Sequence, residues 1–166
     1  MARQSDSNKR EKASSEFAEK VLFINRCSKV VKGGRKFSFS ALILAGDGKG
    51  RIGYGFAKAN ELTDAIRKGG ESARKNLKSF PKRGTSIPHE VRVDWDGATL
   101  LLKPAPDGSG VVAGSQVRTV LEMAGIENVV AKSLGRNNPI NLVKATFKAL
   151  SLLHSVDELK EMRGLT

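Results

Sequence analysis

The stretch Ser28-Lys29-Val30-Val31-Lys32-Gly33-Gly34-Arg35-Lys36 sets four cationic side chains around two adjacent glycines, with no carboxylate among them. Ammonium and guanidinium groups at this density neutralise phosphates. Glycines without a Cβ let a nucleic-acid backbone come close. Arg26, Lys49, Arg51 and Lys58 are read as extending the same basic surface. Tyr54 and Phe56 are aromatics that stack on unpaired bases if they are exposed. Phe56, with Ile52, is read as facing the protein's own core, and Tyr54 stays open between the two roles.

Residues suited to catalysis are sparse. His89 and His154 are far apart in the chain and neither stands in a recognisable motif; His154 extends the apolar face of the last strongly periodic segment and reads as a packed or edge histidine. Cys27 lies at a strand end beside cations, has no identifiable base, and reads as a small semi-buried residue. Asp94 and Asp96 flank Trp95 at a turn, which turn chemistry accounts for. Gly48-Lys49-Gly50-Arg51-Ile52-Gly53 spells the dinucleotide fingerprint, but its glycines lead into an alternating strand and not into a helix that would meet a pyrophosphate. Gly108-Ser109-Gly110 followed by Gly114-Ser115 is a better anion cradle. No lysine follows it in Walker spacing, so a tight loop or a protein contact is the expected role. No catalytic residue, metal site, cofactor or small-molecule substrate is expected.

Composition narrows the class further. The chain has 166 residues, 29 Lys or Arg against 17 Asp or Glu, and a net charge of +12. Residues 1–83 carry 20 basic and 8 acidic side chains, whereas residues 84–166 carry 9 of each. All the excess charge therefore sits in the first half, which points to two modules with different partners. A single cysteine excludes a disulfide framework and a multi-cysteine zinc site and suits a reducing compartment. There is no apolar run long enough for a membrane span, and residues 1–15 lack the apolar stretch of a secretory signal. The expectation is a cytoplasmic protein with a polyanionic partner.

The elements that must position these residues follow from periodicity. Residues 1–16 are polar and read as a disordered tail. Val21-Leu22-Phe23-Ile24 lies in a first strand, and Ser28 to Lys36 reads as a basic hairpin loop. Phe37 to Leu44 is a second strand, and Arg51 to Lys58 a third that alternates bulky residues with glycine and alanine. Asn60 is expected to cap a helix that starts at Glu61 and carries Leu62, Ala65, Ile66, Gly69, Ala73 and Leu77 on one face. Gly69-Gly70 inside it costs about 1 kcal/mol per glycine, so close packing against the sheet is expected in compensation. Residues 81–87 form a linker. Beyond it, a strand through Val91 and Val93, an Asp96-Gly97 turn and a strand from Ala98 to Lys103 make a hairpin. A helix with Val117, Val120 and Leu121 then ends at Gly125, a short strand covers Glu127 to Leu134, and a helix starts at Asn138-Pro139. Residues 156–166 are a charged tail without an assigned element.

The order of these motifs resembles a known family, protein five of the small ribosomal subunit, bacterial type. The residues that carry the likeness are Val31-Lys32-Gly33-Gly34-Arg35, Phe37-Ser38-Phe39, Gly46-Asp47-Gly48, Gly53-Tyr54-Gly55-Phe56-Ala57-Lys58-Ala59, Gly108-Ser109-Gly110 to Gly114, Val120-Leu121-Glu122 to Gly125, Asn128-Val129 with Ala131-Lys132, and Asn138-Pro139-Ile140-Asn141. The resemblance implies an α+β chain of two small domains. Residues 17–80 would be a β-β-β-α module like a double-stranded RNA-binding domain; residues 88–155 would be a β-β-α-β-α module with a left-handed β-α-β crossover. It implies binding to 16S rRNA where head meets body, with the Ser28–Lys36 loop reaching toward the head. It also implies contacts of the second module with small-subunit proteins four and eight, a place near the messenger RNA entry channel, and an influence on decoding accuracy with proteins four and twelve. Gly108, Ser109, Gly110 and Arg118 match the side that faces protein four. Arg136 stands where the family often has serine and adds a possible RNA contact. A free-standing RNA chaperone is the rival reading, and a nucleotide-dependent enzyme a more distant one.

Overall fold

The computed structural model describes residues 17–164, so the polar tail expected at the amino terminus lies outside the described residues. Strands β1 (Ala18–Val31), β2 (Gly34–Gly46), β3 (Arg51–Ala59) and β4 (Lys78–Ser79) form an antiparallel sheet in that order, with helix α1 (Leu62–Lys75) between β3 and β4. A second sheet follows, built from β5 (Val91–Trp95), β6 (Ala98–Pro104), β7 (Val111–Val112) and β8 (Val129–Ser133) in the order β5-β6-β8-β7. Helix α2 (Ser115–Met123) joins β7 to β8, which pair in parallel and so form the β-α-β unit. Helices α3 (Pro139–Ser151) and α4 (Val156–Met162) end the described chain. The architecture is two-part α+β.

Alternation along β2 explains why its sheet can be covered on both sides. Ala41 and Ile43 face α1 and meet Ala65 in a small core with Phe39, Ala59 and Ile66 packed on it. Leu42 and Leu44 face the other way and, with Ile52, join the main core of the second part, which runs through Leu100, Leu102, Val120, Leu121, Val143 and Leu150. Tyr54 meets Phe147 of α3 edge-on at 4.8 Å between centroids. One apolar core therefore spans both parts.

The bare side of β3 is what α1 needs. A Cβ on Gly53 or Gly55 would run into the backbone oxygens of Ala73 or Gly69, and a Cβ on Gly69 would lie 2.8 Å from Ile43 Cδ1. Helix and sheet thus touch backbone to backbone, the close packing the paired glycines call for.

Several local signals act as their chemistry predicts. Asn138 accepts a hydrogen bond from Ile140 N at 3.3 Å, with Pro139 at the first turn of α3. Gly125 donates to Glu122 O and Ile126 to Leu121 O, the paired closure of a glycine-terminated helix. Asp96 and Gly97 both adopt positive φ in the β5–β6 turn.

Other expectations need correction. Glu61, not Asn60, precedes α1, and no side chain caps the helix there. The charged tail is not featureless: Ser155 and Glu158 form a reciprocal capping box that opens α4. That box is readable in the sequence as Ser-x-x-Glu. The short strands β4 and β7, two residues each, leave too little periodicity to find.

Candidate nucleic-acid interface

The segment Ser28–Lys36, read as a loop, is strand. β1 and β2 pair without interruption from Arg26↔Phe39 to Val31↔Gly34, leaving Lys32-Gly33 as a two-residue turn. The outermost rung of β3 is Phe39↔Ala59. From Cys27↔Ser38 outward, five rungs therefore form a ribbon with no third strand, about 17 Å long. Tight pairing with a two-residue turn turns a basic loop into a projecting arm.

Opposite residues on an antiparallel ribbon share a face, which sorts the cations. Lys29 and Lys36 stand opposite each other on one face, Val30 and Arg35 on the other, and Lys32 is at the tip. All are exposed. Among the described residues none of these cations has a carboxylate within ion-pair distance. Like charges directly opposite destabilise a ribbon. The free protein therefore bears a cost that an anion placed between the two lysines would relieve. At the root of the arm, the Arg26 guanidinium lies 3.8 Å from the centre of the Phe37 ring and braces the ribbon. Phe37 is a partner that residue spacing did not reveal.

The tip glycines differ. Gly34 has φ +136°, so the turn itself requires a glycine. Gly33 does not have positive φ, and nothing lies within 4 Å of the Cβ it lacks.

Lys58 lies on the same face as Lys29 and Lys36, opposite Ser40 on the arm side of the sheet. Lys49 and Arg51 do not extend this surface, contrary to expectation. The β2–β3 turn that holds them is at the other end of the sheet, about 36 Å along β2 from Arg35. There Arg51 Nε donates to Asp47 Oδ2 at 2.7 Å, and Asp47 Oδ1 accepts from the amides of Lys49 and Arg51. Burial pushes the Asp47 carboxyl up, but the Arg51 side chain, the two amides and the Arg51 charge outweigh it and hold the carboxyl below its ordinary value. Arg51 is thus a neutralised structural cation.

The aromatic expectations invert. Phe56, expected in the core, is 49% exposed, whereas Tyr54 is half-buried against Phe147 and its ring is committed to the main core. Cys27, expected semi-buried, is exposed on the arm. A bulge explains part of the difficulty: register shifts between Val21 and Phe23, with Leu22 turned toward the main core, so alternation in β1 does not reveal its faces.

On the second part, the Gly108–Gly110 turn is anchored from within. Gly110 N donates to Asn128 Oδ1 at 3.0 Å, and the buried Asn128 donates to Thr85 Oγ1, itself hydrogen-bonded to Asp107. Ser109 is exposed at the outer end of that turn. Arg118 lies elsewhere, in an open groove with Val112, Gly114, Ser115, Lys132 and Asn137. The dinucleotide reading of Gly48–Gly53 fails, because those residues lead into β3. His89 and His154 do meet: their rings stack at 6.3 Å and His154 N donates to His89 Nε2, which ties the lead-in to α4 to the lead-in to β5. No helix is long and apolar enough to cross a membrane among the described residues.

The comparisons with known proteins agree with this layout. The family model described as "Ribosomal protein S5, N-terminal domain" matches residues 17–81, and "Ribosomal protein S5, C-terminal domain" matches residues 93–163. The chain is 71% identical over 167 residues to "Small ribosomal subunit protein uS5" of Protochlamydia amoebophila, covering 99% of this chain and 100% of that one. It is 71% identical over 149 residues to the protein of the same name in Chlamydia abortus, covering 89% and 90%. It is 68% identical over 148 residues to that of Chlamydia trachomatis serovar D, covering 89% and 90%. With both domain models matched and a relative 71% identical over almost the whole of both chains, the chain belongs to the ribosomal protein S5 family, a non-enzymatic structural component of the small ribosomal subunit.

Proposed function

We propose that residues 17–80 bind 16S rRNA through the β1–β2 arm, and that residues 88–155 dock neighbouring small-subunit proteins. The observation that carries this is the run of cations without an ion-pair partner among the described residues: Lys29, Lys32, Arg35 and Lys36 on a ribbon that projects beyond its sheet, and Lys58 at its root. Phosphate contacts of this kind fix position and register without reading sequence. Gly33 and Gly34 at the tip leave room for an RNA backbone, and Arg26 holds the arm in shape through Phe37.

The neutral second half suits protein partners, here small-subunit proteins four and eight. Ser109, presented between Gly108 and Gly110, and the exposed Arg118 in its separate groove are the two places offered to protein four. The main core passes through both parts. A grip on RNA at the arm and a grip on protein at the far side are thus mechanically continuous. Such a bridge restrains head against body near the messenger RNA entry channel, and with proteins four and twelve it tunes decoding accuracy in the cytoplasmic ribosome.

The test is the double substitution Lys32→Ala/Arg35→Ala. Binding to 16S rRNA should weaken at physiological salt, and the log–log salt slope should fall by about 1 to 2, because each lost phosphate contact releases fewer counterions. An unchanged affinity and slope refutes the arm as the RNA contact.

A further inference from the structure

We propose that the rim of the first sheet's second face, where it emerges from under the second part toward the arm, is a stacking platform for unpaired RNA bases, with Phe23 and Phe56 as its two surfaces. The inference rests on the RNA-binding reading above and gives that reading a substrate class: single-stranded, unstacked nucleotides.

Phe23, Leu42 and Phe56 form one row across β1, β2 and β3. Leu42 in the middle is 1% exposed, while Phe23 and Phe56 on either side are 40% and 49% exposed. The next row on the same face is Asn25, the buried Ser40 and Lys58, followed toward the tip by Cys27 with the partly exposed Ser38, then Lys29 with Lys36. Aromatic surfaces, then amide and hydroxyl groups, then cations: the order suits base faces, base edges and phosphates in turn. The two rings sit two strands apart, about 10 Å, a span that splayed neighbouring nucleotides cover.

Charge selects this occupant over a protein surface. Between Lys20 and Asn60 the only carboxylate is Asp47, which lies at the opposite end of the sheet and is paired with Arg51. Among the described residues of β1, β2 and β3, none on this face is acidic to repel phosphate. The centre of a protein–protein interface is depleted of charge, whereas here Lys58 stands one row from the rings. A duplex hides the base faces that the rings would stack on, so the platform is for unpaired bases.

Stacking releases no counterions, which separates it from the arm. The full chain is titrated with single-stranded hexauridine and with a twelve-base-pair RNA duplex. Phe23→Leu and Phe56→Leu preserve apolar bulk but lose the π-face. Each should weaken hexauridine binding about fivefold to tenfold, leave the salt slope unchanged and leave duplex binding within twofold. Phe56→Tyr should restore it. Leucine variants that bind hexauridine like the wild type, or that lose both RNAs equally, overturn the platform. So does ultraviolet cross-linking in assembled small subunits that joins Phe23 or Phe56 to a protein and not to uridine. If Lys32→Ala/Arg35→Ala loses binding and the leucine variants do not, the platform alone falls. If the wild-type chain binds neither RNA, the RNA-binding reading falls with it.

Discussion

At one end of β2, Leu42, Leu44 and Ala45 are sealed between α1 and the second part; at the other end, Arg35, Lys36 and Phe37 have solvent around them. The same strand, with the same hydrogen-bonding partner, is structural at one end and a contact surface at the other. At the sealed end a cation has its own anion: Arg51 is held by Asp47. On the arm the cations have none among the described residues. Positive charge in a sequence is therefore not yet a site. It becomes one where the fold leaves it unneutralised.

The largest way to break the sealed end is Leu44→Ala. Leu44 is fully buried in a core that also contains Leu100, Leu121 and Leu150, so the cavity should cost about 2–5 kcal/mol. Because that core is continuous, the damage should reach both parts. Trp95, the single tryptophan, sits in the second part. Its fluorescence should follow the same lowered denaturation midpoint as the circular dichroism of the whole chain. A Trp95 transition that stays at the wild-type midpoint would show two separately stable parts.

Asp47→Asn acts on the same end with a smaller effect. It removes the ion pair with Arg51 and weakens a carboxylate's hold on two amides, which should cost about 1–3 kcal/mol at neutral pH. The direction with pH follows from the lowered carboxyl. The stability it contributes is present above the unfolded value, near 3.8, and is lost as pH falls through the depressed folded value. The gap between wild type and Asp47→Asn in thermal midpoint should thus close on acidification below about pH 4. RNA affinity should be unchanged, since Arg51 lies at the end of the sheet opposite the arm.

How far these two ends can be read from residues alone depends on whether the signal is local. The arm's charge, the Asp96-Gly97 turn, the Gly125 helix end and the Asn138-Pro139 start are all set by neighbours in the chain, and each is legible. Arg51 and Lys49 look like arm cations because they follow soon after it; only the meander of the sheet, which sends successive turns to opposite ends, separates them. Phe56 and Tyr54 are two apart on the same face, so alternation cannot say which the second part covers. The bulge at Leu22 conceals the faces of β1. Long-range pairing decides these, and it decides His89 with His154 as well.

Lys36→Glu sharpens the contrast at the bare end, because stability and binding should move in opposite directions. It places a carboxylate opposite Lys29 and replaces a like-charge pair by an ion pair, which should stabilise the arm by about 0.2–1 kcal/mol. Amide hydrogen exchange across Lys29 to Lys36 should slow. Affinity for 16S rRNA should fall at the same time if the arm grips phosphate as proposed, because a cation there has become an anion. Loss of both protection and affinity would mean that the substitution only disrupts the ribbon.

The smallest expected change in stability is the most specific for the arm's purpose. Gly34→Ala puts a Cβ on a residue at φ +136° and should lower the thermal midpoint. Gly33→Ala meets neither strain nor neighbour, since its φ is not positive and the space around it is open. It also restricts the unfolded chain, so its effect on stability should lie between zero and a gain of about 1 kcal/mol. Nothing inside the protein needs a glycine at position 33. If the arm's tip lies against an RNA backbone, the added methyl group stands where that backbone must come, and affinity for 16S rRNA should drop while the folded arm is intact by hydrogen exchange. Unchanged affinity for Gly33→Ala, beside a loss for Lys32→Ala/Arg35→Ala, would mean that the cations reach the phosphates from the sides of the ribbon and that its tip points past the RNA.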